Sequence, residues 1–276
     1  MQVVVVASGS RGNATLFTST AAVRPVTRVL VDAGVSRREL RRRLLAVGEE
    51  DRLDAIVITH AHKDHVGECQ RLARQYGVPL FMSESTARWV EATDVELFSP
   101  REPFRIGGLD FVPTPLPHDA AQVAFTVSDG MRRVGLCTDL GEVPPLLPER
   151  LAGCDLLLIE SNHDLDLLRD GPYPDFMKRR IASARGHLSN AQCAELLRQL
   201  APTLGRVVLM HLSQTNNRPE LARVVAEDAL SGFAVPLSVA AQDAPLVLQP
   251  MPRVSPLRLR SPRVARRATN QLAFAF

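Results

Sequence analysis

Nine short apolar runs, each ending in turn or polar residues, recur along this chain of 276 residues. They cover residues 2–7, 28–34, 54–59, 78–82, 109–116, 123–129, 132–139, 155–160 and 206–211. Their length and their content of Val, Ile and Leu are typical of β-strands. The Asp129-Gly130 pair between two of the runs predicts a hairpin. The chain is therefore predicted to fold around β-sheet.

Longer amphipathic segments lie between these runs, at residues 36–48, 189–201 and 218–230. Ser36 is a candidate N-cap of the first, and Ser189 or Asn190 of the second. Pro219 falls in the first turn of the third, where its missing N–H costs little. Strands and helices in this order predict an α/β fold with helices covering at least one sheet.

The composition favours a cytoplasmic protein without a membrane partner. No apolar run approaches the roughly 20 residues that a membrane-spanning helix needs. The first residues carry no basic leader, so no signal peptide is predicted. The four cysteines are scattered without a CxxC pair, which indicates reduced thiols.

The net charge of +3 is unevenly distributed. Residues 250–276 contain six arginines and no acidic residue, which leaves residues 1–249 with a net charge of −3. Such a Pro- and Arg-rich segment cannot bury enough apolar surface to fold alone. We therefore predict a folded domain over residues 1–248 and a disordered basic C-terminal tail over 249–276, which serves as a linker or contacts polyanions.

The segment ITHAHKDHVGE at 58–68 contains three of the seven histidines of the chain. His60, His62, Asp64 and His65 all lie within six positions, directly after a predicted strand. The segment is either a polar surface turn or part of a metal site. Imidazole and carboxylate ligands suit zinc, manganese or iron.

Further ligand-type residues follow other predicted strands. His118, Asp139 and His211 each stand at or just after the end of an apolar run. Sheet proteins collect functional groups at strand ends. A surface turn would not predict these additional residues, so the pattern favours a metal site assembled from several strands.

The segment THAHKDHVG resembles the HxHxDH signature of the metallo-β-lactamase superfamily, whose fold is an αββα sandwich. VDAG at 31–34 and TDLG at 138–141 are similar to strand-end motifs of the same superfamily. Within it, the chain most resembles the YycJ/WalJ-type branch over about residues 1–248. The matching blocks lie at 8–17, 117–127, 160–168, 179–190 and 211–217.

The resemblance implies a centre of two divalent metal ions, with zinc or manganese favoured. It assigns His60, His62 and His118 to one ion, and Asp64, His65 and His211 to the other. It also implies that Asp139 bridges the two ions. A metal-bound hydroxide would be the nucleophile, and Asp64 would also orient it as a catalytic residue.

His187 matches a position where related phosphodiesterases and tRNA-processing nucleases place a histidine beside the leaving group. A histidine titrates near neutral pH and can protonate a departing oxygen. The resemblance therefore implies a catalytic role for His187, the alternative being support of its loop.

Four polar residues are candidate substrate-binding groups: Ser8, Asn13, His163 and Asn190. The first two lie in the SGSRGN loop. The alternative interpretation of this loop is a tight connection between two strands. The ESNHD segment around His163 is either a substrate-facing loop or a hydrogen-bonded turn. Asp32 is either a partner of a metal ligand or a turn stabiliser, and the second interpretation is favoured.

Phosphodiester hydrolysis is the favoured reaction, because a dimetal site balances a dianionic transition state. The branch resemblance implies a DNA nuclease with 5′-to-3′ exonuclease activity. RNA and small cyclic phosphodiesters are alternative substrates, as are thioesters and lactones on the same fold.

The hexapeptide QLAFAF at 271–276 resembles the QLxLxF pattern by which bacterial DNA-processing proteins dock on the sliding clamp. Its candidate contact residues are Gln271, Leu272, Phe274 and Phe276. The alternative is that the apolar residues pack on the protein's own surface. A clamp-tethered DNA-binding partner without activity is the corresponding non-enzymatic hypothesis.

Overall fold

The computed structural model describes residues 1–20 and 26–249, which form two seven-stranded sheets. The first sheet begins with β1 (Gln2–Ala7), β2 (Ala14–Thr18), β3 (Arg28–Val31), β4 (Ala55–Val57), β5 (Leu80–Ser83) and β6 (Glu96–Phe98). The second contains β7 (Phe104–Ile106), β8 (Leu109–Leu116), β9 (Gln122–Ser128), β10 (Arg133–Cys137), β11 (Leu156–Glu160), β12 (Val207–Met210) and β13 (Leu237–Val239). The last strand, β14 (Leu246–Leu248), returns to the first sheet.

The strand order is β14-β1-β2-β3-β4-β5-β6 in the first sheet and β13-β12-β11-β10-β9-β8-β7 in the second. Strands β3 to β6 are parallel, as are β10 to β13. β8 and β10 are both antiparallel to β9, so they end at the same edge. Polar residues that follow these strands therefore collect at one edge of each sheet.

The helices are α1 (Arg37–Ala46), α2 (Lys63–Val66), α3 (Cys69–Tyr76), α4 (Glu84–Trp89), α5 (Leu147–Leu151), α6 (Leu165–Asp170), α7 (Asp175–Ile181), α8 (Asn190–Leu200) and α9 (Pro219–Ala229). Ser36 caps α1, and Ser189 caps α8 through a capping box with Gln192. Within the described residues, no helix is both long and apolar enough to cross a membrane.

Side chains alternate between the two faces of each strand. In β1, Val3 and Val5 pack between the sheets, whereas Val4 and Val6 pack under helices. Buried residues of α1, α3 and α4 cover the outer face of the first sheet, and those of α5, α8 and α9 cover the second. This αββα sandwich confirms the predicted fold class.

The sequence located nine of the strands and the hairpin at Asp129, because each of these strands lies in a clear apolar run. It missed five shorter or less apolar strands: β2, β6, β7, β13 and β14. It also missed the short helices α2 to α7, whose four to eight residues are too few to show a period. Residues 250–276 of the predicted tail, including the four candidate clamp-binding residues, lie outside the described part of the chain.

Gly34 lies where the loop after β3 meets the histidine-rich segment. Its backbone N–H donates to the carbonyl oxygen of Asn13 (2.9 Å), and the Asn13 N–H donates to the carbonyl oxygen of Asp64 (2.7 Å). A Cβ atom on Gly34 would lie only 1.8 Å from that Asp64 oxygen. The close approach of three backbone segments therefore requires glycine here.

We expect Gly34→Ala to destabilise the protein by about 1–3 kcal/mol and to weaken metal binding, because the segment carrying Asp64 must move away. Urea denaturation and metal titration measure the two effects. In Gly48→Ala, the new Cβ has no atom within 4 Å, so only its backbone φ of 76° opposes it. Equal metal affinity in the two variants would contradict the expectation.

Candidate metal centre

The seven predicted ligands meet at the edge of the sandwich where the strands end. Their donor atoms form overlapping groups, within each of which the atoms lie within 4.8 Å of one another. The groups are His60–His62–His118, Asp64–His65–His211, and His60–His65–Asp139. Asp139 also belongs to a fourth group with Glu160, His187 and His211. Asp139 therefore lies between the two predicted ligand sets.

In each of the five histidines of these sets, one ring nitrogen contacts a nearby polar group of the protein. This contact directs the other ring nitrogen into the centre. The contacts are His60 Nδ1 with the Thr59 hydroxyl (3.1 Å), His62 Nε2 with Asp119 (3.0 Å), His65 Nδ1 with Asp32 (2.8 Å), His118 Nδ1 with the Gly186 carbonyl (3.0 Å) and His211 Nδ1 with Glu160 (2.9 Å). Metal-ligating histidines are held in this way by carboxylates and carbonyl groups.

Asp32 contacts both a predicted metal ligand and the end of the neighbouring strand. Its Oδ2 contacts His65 Nδ1, while its Oδ1 accepts hydrogen bonds from the Thr59 N–H and hydroxyl, both at 2.9 Å. Asp32 thus orients His65 and also ties the end of β3 to the end of β4. Both interpretations left open by the sequence are therefore compatible with its contacts.

Three residues of the centre have left-handed backbone conformations. The φ angles are 64° at Asp32, 60° at Asp139 and 54° at His211, and each residue follows a strand. Such conformations are uncommon for residues other than glycine and cluster at functional sites. The turn at each strand end is therefore strained in a way that directs a polar side chain into the centre.

The donor set fits divalent metal ions. His60 Nε2 and Asp139 Oδ2 are buried and have no hydrogen-bond partner among the described residues. Buried polar atoms normally have a partner, and a metal ion provides one for each. Burial lowers the pKa of His60 well below its usual value, so its ring is neutral and able to bind a metal.

The carboxylates give the centre a strong negative field. Burial alone would raise the pKa of Asp139, but the charges of His211 and His65 hold it well below its usual range. Burial alone would lower the pKa of His211, but Asp139, Asp64 and Glu160 raise it to about 10. Such a field attracts cations into the centre.

His187 belongs to neither of the two predicted ligand sets but lies beside both, with its ring centroid 5.3 Å from that of His118 and 5.4 Å from that of His211. Its Nδ1 contacts Glu160 Oε1 at 2.8 Å. Burial lowers the pKa of His187, but the adjacent Glu160 carboxylate outweighs burial and raises it. Its Nε2 is left as the ring nitrogen available to a ligand.

A hollow of about 310 Å³ opens over these groups. His62, Asp64, His118, Asp139, His187 and His211 line it, together with Lys63, Tyr173 and Arg180. Arg180 pairs with Asp119, which in turn contacts His62. The rim therefore offers two cations beside an acidic centre.

The comparisons with known proteins agree with this geometry. Residues 27–212 match the family model described as a β-lactamase superfamily domain. The chain belongs to the β-lactamase superfamily. It is a metal-dependent hydrolase of that family, and the resemblance to the metallo-β-lactamase fold is confirmed.

Two curated relatives share most of their length with this superfamily member. The chain is 34% identical over 242 residues to exodeoxyribonuclease WalJ of Streptococcus pneumoniae, covering 82% of this chain and 87% of that protein. It is 33% identical over 244 residues to exodeoxyribonuclease YycJ of Bacillus anthracis, with 84% and 90% covered. These relatives confirm the resemblance to the YycJ/WalJ-type branch.

A solved structure supports the fold alone. The metallo-β-lactamase fold protein YhfI of Bacillus subtilis aligns with a TM-score of 0.67 at 19% sequence identity. The alignment covers 90% of this chain and 99% of that chain.

The candidate substrate-binding residues differ in their positions. The Asn13 amide nitrogen lies 2.9 Å from His65 Nε2 and 3.2 Å from Asp64 Oδ2, in contact with the centre. The Ser8 hydroxyl instead accepts a hydrogen bond from the His211 backbone N–H at 2.8 Å. Ser8 therefore supports the strand end that carries His211.

His163 and Asn190 lie outside the lining of the hollow. Asn190 is buried, and its side chain bonds to Ser161 and Asn217. His163 is also buried, and burial lowers its pKa to about 4. Neither side chain lines the hollow, and the predicted contact of both with substrate stays a prediction.

Sequence reasoning did not assign a role to Glu160. Its Oε1 contacts Nδ1 of both His187 and His211, and its Oε2 accepts hydrogen bonds from the backbone N–H groups of Leu140 and Leu188. Burial alone would raise its pKa, but His187 and His211 lower it to about 2. Its position at the end of an apolar run is the same signal that identified Asp139 and His211.

We expect Glu160→Gln to reduce metal affinity or turnover about 10- to 100-fold, because one side chain orients two histidines. Glutamine keeps the shape but loses the charge that holds both rings. Metal titration separates a loss of affinity from a loss of turnover. Asp155→Asn, directly before β11 and at the opposite end of this strand from Glu160, serves as the control. Equal behaviour of the two variants would show that Glu160 does not position the histidines.

Proposed function

We propose that this protein is a DNA nuclease that uses two divalent metal ions, zinc or manganese, with 5′-to-3′ exonuclease activity. The proposal rests chiefly on its similarity to two exodeoxyribonucleases over more than four-fifths of the chain. The position of His187, in contact with Glu160 and beside the two predicted ligand sets, supports phosphodiester chemistry. A histidine at this position can donate a proton to the leaving group.

The ligand assignment is part of this proposal. His60, His62 and His118 would hold one ion, Asp64, His65 and His211 the other, and Asp139 would contribute to both. When bound, the ions would supply Lewis acidity to the phosphate and lower the pKa of an attacking water.

The protein's own residues would complete the reaction. Asp64, whose side chain is 24% exposed, would accept a hydrogen bond from the attacking water and orient it. His187 would hold a proton at Nε2, since Glu160 engages Nδ1, and would donate it to the leaving oxygen as the P–O bond breaks. Lys63 and Arg180 at the rim would contact phosphates of the strand.

The direct test uses single- and double-stranded DNA labelled at the 5′ or 3′ end, with manganese or zinc, beside an Asp64→Ala variant. Stepwise loss of nucleotides from the 5′ end by the wild-type protein alone is expected. Absence of metal-dependent cleavage of any DNA, with metal bound, would overturn the proposal. RNA, cyclic phosphodiesters and thioesters would then be tested as substrates.

A further inference from the structure

Trp89 is the only tryptophan in the sequence, and it is 78% exposed to solvent. It is the last residue of α4, which begins directly after β5. Since β4 and β5 are parallel neighbours, α4 starts at the same sheet edge as the histidine-rich segment. A large aromatic side chain is thus held in solvent near the metal centre.

The helix that carries Trp89 is well anchored. Ser83 caps it by accepting a hydrogen bond from the Thr86 N–H at 3.2 Å, and the two hydroxyl groups lie 2.9 Å apart. Within this helix, Thr86 and Ala87 are buried. The indole therefore projects from a fixed support, although its own surface contributes little to the core.

A second hollow lies against Trp89 and borders the first. It measures about 460 Å³, and His62 and Asp119 line both hollows. Its remaining lining combines small and hydroxyl side chains with the indole: Ala61, Ser85, Thr86, Trp89, Ala120 and Ala121. The small residues leave a slot with one aromatic wall, immediately beside a proposed metal ligand.

We infer that this slot is a subsite for one unstacked nucleobase of the substrate strand, with the base stacked on Trp89. The inference rests on the proposed nuclease function. A strand whose phosphate lies at the centre, near Lys63 and Arg180, places an adjacent base at the shared His62–Asp119 boundary. Aromatic side chains bind bases of any sequence, because every base has a π-face.

Fluorescence of Trp89 gives a direct test that does not depend on cleavage. The metal-loaded protein is titrated with phosphorothioate oligothymidylate, which resists hydrolysis. We expect quenching of Trp89 upon binding. The control is Met131→Trp in a Trp89→Phe background. Met131 is 77% exposed and lies in the turn between β9 and β10. Asp139 follows the other end of β10, so a tryptophan at position 131 is far from the centre and no quenching is expected there.

A second experiment tests whether Trp89 contacts a nucleobase of the strand. Dissociation constants of the wild type and of Trp89→Ala are compared for the intact oligonucleotide and for versions with one abasic position. We expect Trp89→Ala to weaken binding of the intact strand about tenfold. When the missing base is the one that would occupy the slot, Trp89→Ala should cause no further loss of affinity. Trp89→Phe should retain part of the affinity for the intact strand.

Unchanged binding by Trp89→Ala, or an equal loss with every abasic strand, would overturn the subsite while leaving the nuclease proposal intact. A change confined to self-association, measured by sedimentation, would also overturn it and identify a protein contact instead. If the wild-type protein neither binds nor cleaves DNA, the proposed function itself fails, and the subsite fails with it.

Discussion

Replacing Asp139 with asparagine should remove divalent metal from the protein and reduce hydrolysis on the order of a thousandfold or more. Asp139 is buried and belongs to ligand groups on both sides of the centre. Asparagine has the same shape and tolerates the φ of 60° at this position, so the backbone can remain in place. What is lost is the negative charge and one anionic oxygen.

Metal content per chain after dialysis is the primary measurement, with turnover of labelled DNA as the second. The matched control is Asp155→Asn, also buried, whose Oδ2 accepts the Arg133 backbone N–H at 2.8 Å. Asp155 precedes β11 and lies at the opposite edge of the sheet. We expect this control to lose stability but to retain its metal. Full metal content in Asp139→Asn would refute the assignment of Asp139 as a shared ligand.

Replacing His187 with alanine should lower turnover of DNA by about 10²- to 10⁴-fold while the metal content stays unchanged. The physical reason is that His187 is not a member of either ligand set, yet lies next to both His118 and His211. Loss of a proton donor slows departure of a poor leaving group without emptying the centre.

The leaving group distinguishes proton donation from structural support. A nitrophenyl ester of thymidine phosphate releases a nitrophenolate, which departs without a proton. On that substrate the effect of His187→Ala should shrink to less than about tenfold. The same large loss on both substrates, or loss of metal from the variant, would mean that His187 only supports its loop.

Much of the centre could be predicted from local sequence. His60, His62, Asp64 and His65 stand so close together that one turn after one strand brings them to the same place. His118, Asp139 and His211 follow from the rule that polar residues at strand ends face a common edge. Glu160 satisfies the same rule, but its segment ESNHD contains several polar side chains, and the sequence alone does not show which of them contacts the predicted ligands.

Some contacts depend on partners that are distant in the sequence, and only the structure shows them. The side chain of Asn190 bonds to Ser161 and Asn217, which lie 29 and 27 positions away. Asp32 acts on His65, 33 positions away. Trp89 lies in a short helix without any motif, so only the neighbouring hollow gives it a candidate role.

The sequence by itself determined which residue types are available at the strand ends, because apolar runs and their polar ends are local features. It also indicated the αββα sandwich through its resemblance to a known superfamily. The tertiary structure decided how the ligands are aimed. The direction of each imidazole depends on the group behind it, and for His211 that group is Glu160, 51 residues away. No local pattern encodes that pairing, since it exists only where the ends of β11 and β12 lie side by side.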